Sequence, residues 1–292
     1  MAKKLRDLLG AAPITVAPGI FDALSALIAS KVGFSCCYLS GASVAYTRFA
    51  SPDVGLVTMN EMVDTLSAIT ERVELPLIVD GDNGYGNALN VQRTVRYFER
   101  AGAAAIQLED QSFPKRCGHL AGKSLVSPSE MVGKIHAALD ARDNPDTMII
   151  ARTDAIQTDG FDAAMERAAV YVDAGADMLF VEAPRTVDQL GAIPARFSDK
   201  IPVMANMVEG GDTPIQSATQ LATLGFCFAI FPGALVRYLA RQSENFLTEL
   251  FSQGSTVSQL RHMHDLSSLN ELIETPSFLA RGKRYGSDIE EN

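Results

Sequence analysis

From residue 14 to about residue 250 the chain alternates short, nearly continuous apolar runs with longer stretches of helical period, and it does so eight times. Apolar runs bounded by turn residues read as strands covered on both faces, and their regular alternation with helices reads as βα units in a parallel sheet. The runs fall at 14–17, 36–40, 77–80, 105–109, 148–153, 178–182, 203–206 and 228–231. Eight such units predict an α/β fold, a closed (β/α)8 TIM barrel, with its site at the C-terminal ends of the strands. An open doubly wound sheet is the competitor. It would carry a Gly-rich phosphate turn after its first strand, and Ala17-Pro18-Gly19-Ile20 is not one.

Local signals sharpen the layout. Helical patterns close on Gly33, Gly102, Gly175 and Gly225, where the left-handed conformation can end a helix before the next strand. Ser127 as cap, Pro128 in the first turn, Glu130 completing a capping box and a Val126/Met131 staple fix a helix start, which leaves 110–126 as a loop on the strand-C-terminal side. After residue 254 the pattern becomes polar and helical, with Pro276 expected to break it and Gly282 and Gly286 to loosen its end. The expected organisation is a catalytic barrel over 1–254 and a helical arm over 255–292 packing on a neighbouring subunit.

The net charge of −10 and pI near 4.9 argue against a nucleic-acid partner, because phosphate backbones repel an acidic surface. No apolar run approaches the ~20 residues of a membrane span, and Met-Ala-Lys-Lys-Leu-Arg at the start lacks the features of a secretory signal, so a cytoplasmic protein without a membrane partner is expected. The four cysteines form no Cys-x-x-Cys pair, and neither a zinc knuckle nor a disulfide framework is indicated.

The polar residues that fall at strand ends are Ser40, Gly41 and Ala42, then Asp80 and Asp82, Glu109 and Asp110, Arg152 and Asp154, Glu182, and Asn206. Asp80 and Asp82 alternate on a strand and so would share a face, where two carboxylates repel unless a cation such as Mg2+ separates them. The alternative is an ordinary polar turn at Asp82-Asn83-Gly84. Arg152 is either a bidentate clamp for a small organic acid or an internal partner of Glu182 or Asp154. Lys115-Arg116-Cys117-Gly118-His119 sets one thiol among three cationic or protonatable groups, which would pull its pKa from about 8.5 toward neutrality and make Cys117 a candidate proton donor.

Tyr38-Leu39-Ser40-Gly41, Pro52-Asp53-Val54-Gly55, Asp80-Gly81-Asp82, Gly84-Tyr85-Gly86-Asn87, Glu109-Asp110-Gln111, the 115–119 run, Ala151-Arg152-Thr153-Asp154 and Asn206-Met207-Val208-Glu209 together resemble the isocitrate lyase and phosphoenolpyruvate mutase superfamily, over almost the whole chain. The resemblance implies a barrel exchanging its C-terminal helices with a neighbour in a homotetramer, a dimer of dimers. It also implies Mg2+, or Mn2+ in its place, held by Asp80 and Asp82 mostly through water, with Asp53 and Glu109 in the outer sphere. Cys117, Lys115, Arg152, Glu182 and Tyr38 would be catalytic, with Cys117 on a mobile gate. Ser40, Gly41, Ala42, Gly118, His119, Arg152, Asn206 and Arg237 would bind a carboxylate substrate. The implied activity is that of the lyase branch, with methylisocitrate lyase and 2,3-dimethylmalate lyase as its types: retro-aldol cleavage of a 2-hydroxy di- or tricarboxylate to a 2-oxo acid such as pyruvate plus a second carboxylate. A carboxyphosphonoenolpyruvate-type phosphonomutase is the alternative. Pro232, where oxaloacetate hydrolases of the superfamily tend to carry serine, argues against that third activity.

Overall fold

A computed structural model describes residues 1–118 and 122–286. Eight parallel strands close into a barrel in sequence order: β1 (Thr15–Ile20), β2 (Cys37–Leu39), β3 (Leu77–Asp80), β4 (Ala105–Glu109), β5 (Met148–Thr153), β6 (Met178–Val181), β7 (Val203–Asn206) and β8 (Phe228–Phe231). Five of these match the apolar runs residue for residue. The first does not, because it continues through Pro18 and Gly19. Its early half pairs with β8, from Thr15 with Phe228 to Pro18 with Phe231, whereas Gly19 and Ile20 pair with Tyr38 and Leu39 of β2. Proline lacks a ladder donor but is tolerated where the strand changes partner. Gly19 answers a different demand, since a Cβ there would lie 2.1 Å from the Pro232 carbonyl oxygen.

Two apolar layers result. One fills the space between strands and helices, and the other fills the barrel with Ala17, Cys36, Tyr38, Ile78, Met148, Ile150, Met178, Phe180, Met204, Phe228 and Ile230. Leu5, fully buried in that inner layer, comes from an N-terminal helix (Ala2–Leu8) that the sequence pattern does not reveal. The next residue, Arg6, fastens the helix to the loops ahead of β5 and β6, donating to the Asp146 carbonyl at 2.8 Å and to Asp177 Oδ1 at 2.7 Å. The helix Pro128–Ala141 begins at the expected residue, with Ser127 accepting from the Glu130 amide at 3.2 Å and Pro128 in the first turn, but Glu130 does not close the expected capping box. All four anticipated glycines have positive φ, between 91° and 106°.

The chain divides into two compact units, Met1–Val236 and Arg237–Asn292, so the division falls inside the helix Ala234–Gln253 rather than after residue 254. The second unit continues through Leu266–Leu272 and Thr275–Arg284. Pro276 does not break a helix there. It occupies the first turn of Thr275–Arg284, where its missing N–H costs no helical hydrogen bond, and Gly282 lies within the same helix.

Candidate active site

Side chains on a strand alternate between faces, so the inner apolar layer dictates what comes next at the rim. Stepping by two from Ile78 gives Asp80, from Ala105 gives Gln107 and Glu109, and from Ile150 gives Arg152. The same step leads from Phe180 to Glu182 and from Met204 to Asn206. The barrel's own register therefore aims two carboxylates, an amide, a guanidinium, a carboxylate and a second amide at one mouth, and all are buried.

Asp82 arrives there by another route than strand alternation. The Gly84 amide donates to the Gly81 carbonyl at 2.8 Å, closing a turn in which Asp82 has φ 47°. The polar-turn reading of 82–84 is thus correct, and the turn itself brings Asp82 beside Asp80: the Asp82 amide donates to Asp80 Oδ1 at 3.2 Å, and Gly41 N donates to Asp80 Oδ2 at 3.3 Å. Lys134, from the helix Pro128–Ala141, braces the turn by donating to the Asn83 carbonyl at 3.0 Å. Burial, opposed by Lys115 and reinforced by Asp80 and Asp53, pushes the Asp82 carboxyl up to about 7.

Lys115 is almost fully buried and lies 2.5 Å from Asp53 Oδ1 and 2.7 Å from Asp82 Oδ1. Burial would lower its pKa, but Asp82, Asp53, Asp80 and Glu109 together hold it well above the lysine range. Its charge is therefore paired with the carboxylates of Asp53 and Asp82. Arg116 is exposed, with its guanidinium against Gly122, and Gln111 brackets its backbone by accepting from Arg116 N and donating to Arg116 O. Cys117 is half-buried, and its amide donates to the Asp53 carbonyl at 3.1 Å. His119 lies outside the described residues.

Arg152 is gripped from three sides. Nε lies 2.9 Å from Asp154 Oδ2 and 3.4 Å from Glu109 Oε2, while Nη2 lies 3.0 Å from Asp154 Oδ1 and 3.1 Å from Glu182 Oε2. Desolvation works against the charge, but Asp154, Glu109 and Glu182 keep the guanidinium well above its usual range. Its carbon also stands 5.1 Å from the Phe180 ring centroid. Asn206 Nδ2 donates to both Glu182 oxygens, at 3.3 and 3.0 Å. Gly118 closes over this group: a Cβ there would stand 2.4 Å from Arg152 Nη2 and 2.7 Å from Glu182 Oε2. Residues 118, 152, 182 and 206 are thereby one cluster, although the chain separates them widely.

The remaining candidates sort as follows. Ser40 caps the helix Gly41–Phe49, accepting from Ser43 N at 3.2 Å, and Ala42 lies in that helix's first turn. The Tyr38 hydroxyl donates to Gln107 Oε1 at 3.0 Å, and burial, then Asp80, raise its pKa well above the phenol range. Arg237 belongs to the second unit rather than the barrel. Sequence reading gave no role to Gln107, Lys123 or Lys134. All three are buried, and a lysine or glutamine inside a core is a signal only once burial is known.

Among the described residues no group of three or more His, Cys, Asp or Glu side chains is arranged to hold a metal ion by itself. Mg2+ asks for less, taking one or two protein carboxylates and completing its shell with water or substrate oxygens. Asp80 and Asp82 meet that demand, and Glu109 Oε1 nearby is a buried acceptor with no hydrogen bond from a described residue.

A closed barrel whose register gathers these charges at one rim is the architecture of a barrel enzyme. The chain matches the family described as phosphoenolpyruvate phosphomutase over residues 5–251. It is 44% identical over 274 residues to a 2,3-dimethylmalate lyase of Eubacterium barkeri, covering 93% of both chains. It is 43% identical over 287 residues to a 2-methylisocitrate lyase of Aeropyrum pernix, covering 98% of this chain and 92% of that one. A crystal structure of 2,3-dimethylmalate lyase superposes with a TM-score of 0.92 at 33% identity, over 100% of this chain and 98% of that one. A phosphonopyruvate hydrolase complexed with oxalate and Mg++ does so with a TM-score of 0.87 at 28% identity, over 97% and 98% of the two chains. The chain belongs to the isocitrate lyase/phosphoenolpyruvate mutase superfamily and is a carbon–carbon lyase within it.

Proposed function

We propose that this lyase is Mg2+-dependent and splits a 2-hydroxy di- or tricarboxylate, a substituted malate or a 2-methylisocitrate-like acid, into a 2-oxo acid such as pyruvate and a second carboxylate. The observation that carries the reading is the contact of Gly118 with Arg152 and Glu182, which sets the residue following Cys117 against the guanidinium of the mouth. Asp80 and Asp82 would hold the metal, with Asp53 and Glu109 behind them, and the ion would supply Lewis-acid polarisation of the oxygens of the forming 2-oxo acid.

The chain's own groups account for the rest. Ser40, Gly41 and Ala42 sit at a helix N-terminus, a position suited to a carboxylate. Arg152, oriented by Glu182 and Asp154, and Asn206 face the departing carboxylate. As the 2-hydroxyl gives its proton to a base, a carbonyl forms and the carbon–carbon bond breaks. The bonding pair moves onto the departing carbon and spreads into its carboxylate as an enediolate, where fixed donors stabilise the new charge. The Cys117 thiol then gives its proton to that carbon. Tyr38 keeps its proton at working pH and orients Gln107 toward Asp80, 3.5 Å away.

The protein is proposed to work in the cytoplasm as a homotetramer, a dimer of dimers, with the 255–292 arm packed on a neighbour. Val257 and Leu266, 73% and 80% exposed, are apolar residues of that arm that such packing would cover. The test is a panel of 2-methylisocitrate, isocitrate, 2,3-dimethylmalate, citramalate and oxaloacetate, with pyruvate or oxalate release followed with and without Mg2+. Release from one of the first four that requires Mg2+ supports the proposal, and no turnover of any moves the phosphonomutase ahead. Cys117→Ser separates the same two readings. A lyase should lose roughly several hundred-fold or more in turnover, the scale of a lost general acid, whereas a mutase needs no proton donor and would keep its rate.

A further inference from the structure

Lys123 has no place in the chemistry above, yet its side chain is wholly buried. Its Nζ lies 2.9 Å from Asp154 Oδ1 and also donates to the Gly118 carbonyl. Asp154 holds Arg152 through both carboxylate oxygens. Asp154 is itself fixed from below, because its amide donates to Asp110 Oδ1 at 2.9 Å, and Asp110 Oδ2 accepts from Thr153 Oγ1 at 2.7 Å and from the Tyr171 hydroxyl at 2.8 Å. A buried ammonium is costly unless paired, so one spanning a backbone carbonyl and a carboxylate ties their positions together.

We propose that Lys123 is a positioning residue, a single buried ammonium that ties the Cys117–Gly118 backbone to the Asp154–Arg152 pair and so sets the thiol and the guanidinium at a fixed separation. The tie rests on the lyase reading for its kinetic consequence but not for its geometry. Its chemistry is that of a charge-assisted hydrogen bond at one end and an ion pair at the other. A Met side chain would fill the same volume and provide neither.

Iodoacetamide reads the geometry without turnover. Cys36 and Cys37 are buried, whereas Cys227 is half-buried like Cys117, so alkylation of the folded protein is followed by mass spectrometry of the peptide that carries Cys117. Lys123→Met is expected to change the alkylation rate of Cys117 by about tenfold or more in a variant that stays folded at the assay temperature though with a lower melting temperature, because Asp154 loses a buried partner, and Lys123→Arg, which keeps both donors, to recover most of the parental rate. On the substrate that the panel identifies, kcat should fall about 10²-fold with KM moving only a few-fold, as for a misplacement of catalytic groups. Where Lys123→Met does not fold, Lys123→Gln reads the same quantities. An alkylation rate equal to the parent's in a folded variant overturns the proposal, and so does failure of both variants to fold, which would make Lys123 a folding residue. Absence of turnover in the parent, with the alkylation change present, would overturn the lyase reading alone.

Discussion

Gly118→Ala tests the closest approach in the site. The added methyl would stand 2.4 Å from Arg152 Nη2, 2.7 Å from Glu182 Oε2 and 2.8 Å from Glu182 Cγ. Ordinary contact needs about 3.5 Å, so something must yield by roughly 1 Å. A guanidinium at the end of a flexible chain would normally swing aside, but here Asp154, Glu109 and Glu182 hold it. Moving it breaks buried ion pairs, and the cheaper response is for the 117–118 backbone to lift. A displacement of about 1 Å in a reacting group costs on the order of 10²-fold in rate. Global stability should change by less than about 1 kcal/mol, because the loop yields rather than the core. Steady-state kinetics on the substrate found in the panel, paired with urea denaturation, reads both quantities. A variant within about threefold of the parent in kcat would refute the claim that Gly118 seats Cys117 against the Arg152 cluster.

Other outcomes follow from the same geometry. Leu5→Ala empties a fully buried position in the inner layer and should destabilise by about 2–5 kcal/mol, measured by urea denaturation; a loss under about 1 kcal/mol would mean that the N-terminal helix is not packed on the inner layer. Burial alone would raise the Asp154 pKa, but Arg152 and Lys123 bring it down to about 2. A depressed carboxyl adds stability that is complete above its unfolded value and lost as pH falls through the folded one. Roughly 2–3 kcal/mol should therefore disappear between about pH 4 and pH 2, and Asp154→Asn should flatten that part of the profile. An unchanged acid slope in the variant would contradict the ion-pair assignment.

Strands and helix ends are written within a few residues of chain, and they were readable for that reason. The runs at 77–80, 105–109, 148–153, 203–206 and 228–231 are observed unaltered as β3, β4, β5, β7 and β8, since a strand covered on both faces needs only local apolarity. Identifying the polar strand ends as the mouth needed one further step, the closure rule for eight βα units. Residues that act by pairing across the barrel escaped that logic. Lys115 looked like a neighbour of Cys117 in sequence and is instead a partner of Asp53, 62 positions away. Asp82 looked like a strand residue, and its place comes from a turn with positive φ.

The amino-acid order alone determined the eight-unit barrel, the rim that carries chemistry and the superfamily motifs, because periodicity, caps and short motifs are properties of neighbours in the chain. Only the folded barrel decided which charge meets which: Lys115 with Asp53 and Asp82, Arg152 with Asp154 and Glu182, and Lys123 with Asp154 and the Gly118 carbonyl. Ion pairing depends on separations of about 3 Å between groups tens of residues apart in sequence. Those separations exist only after the sheet has closed on itself.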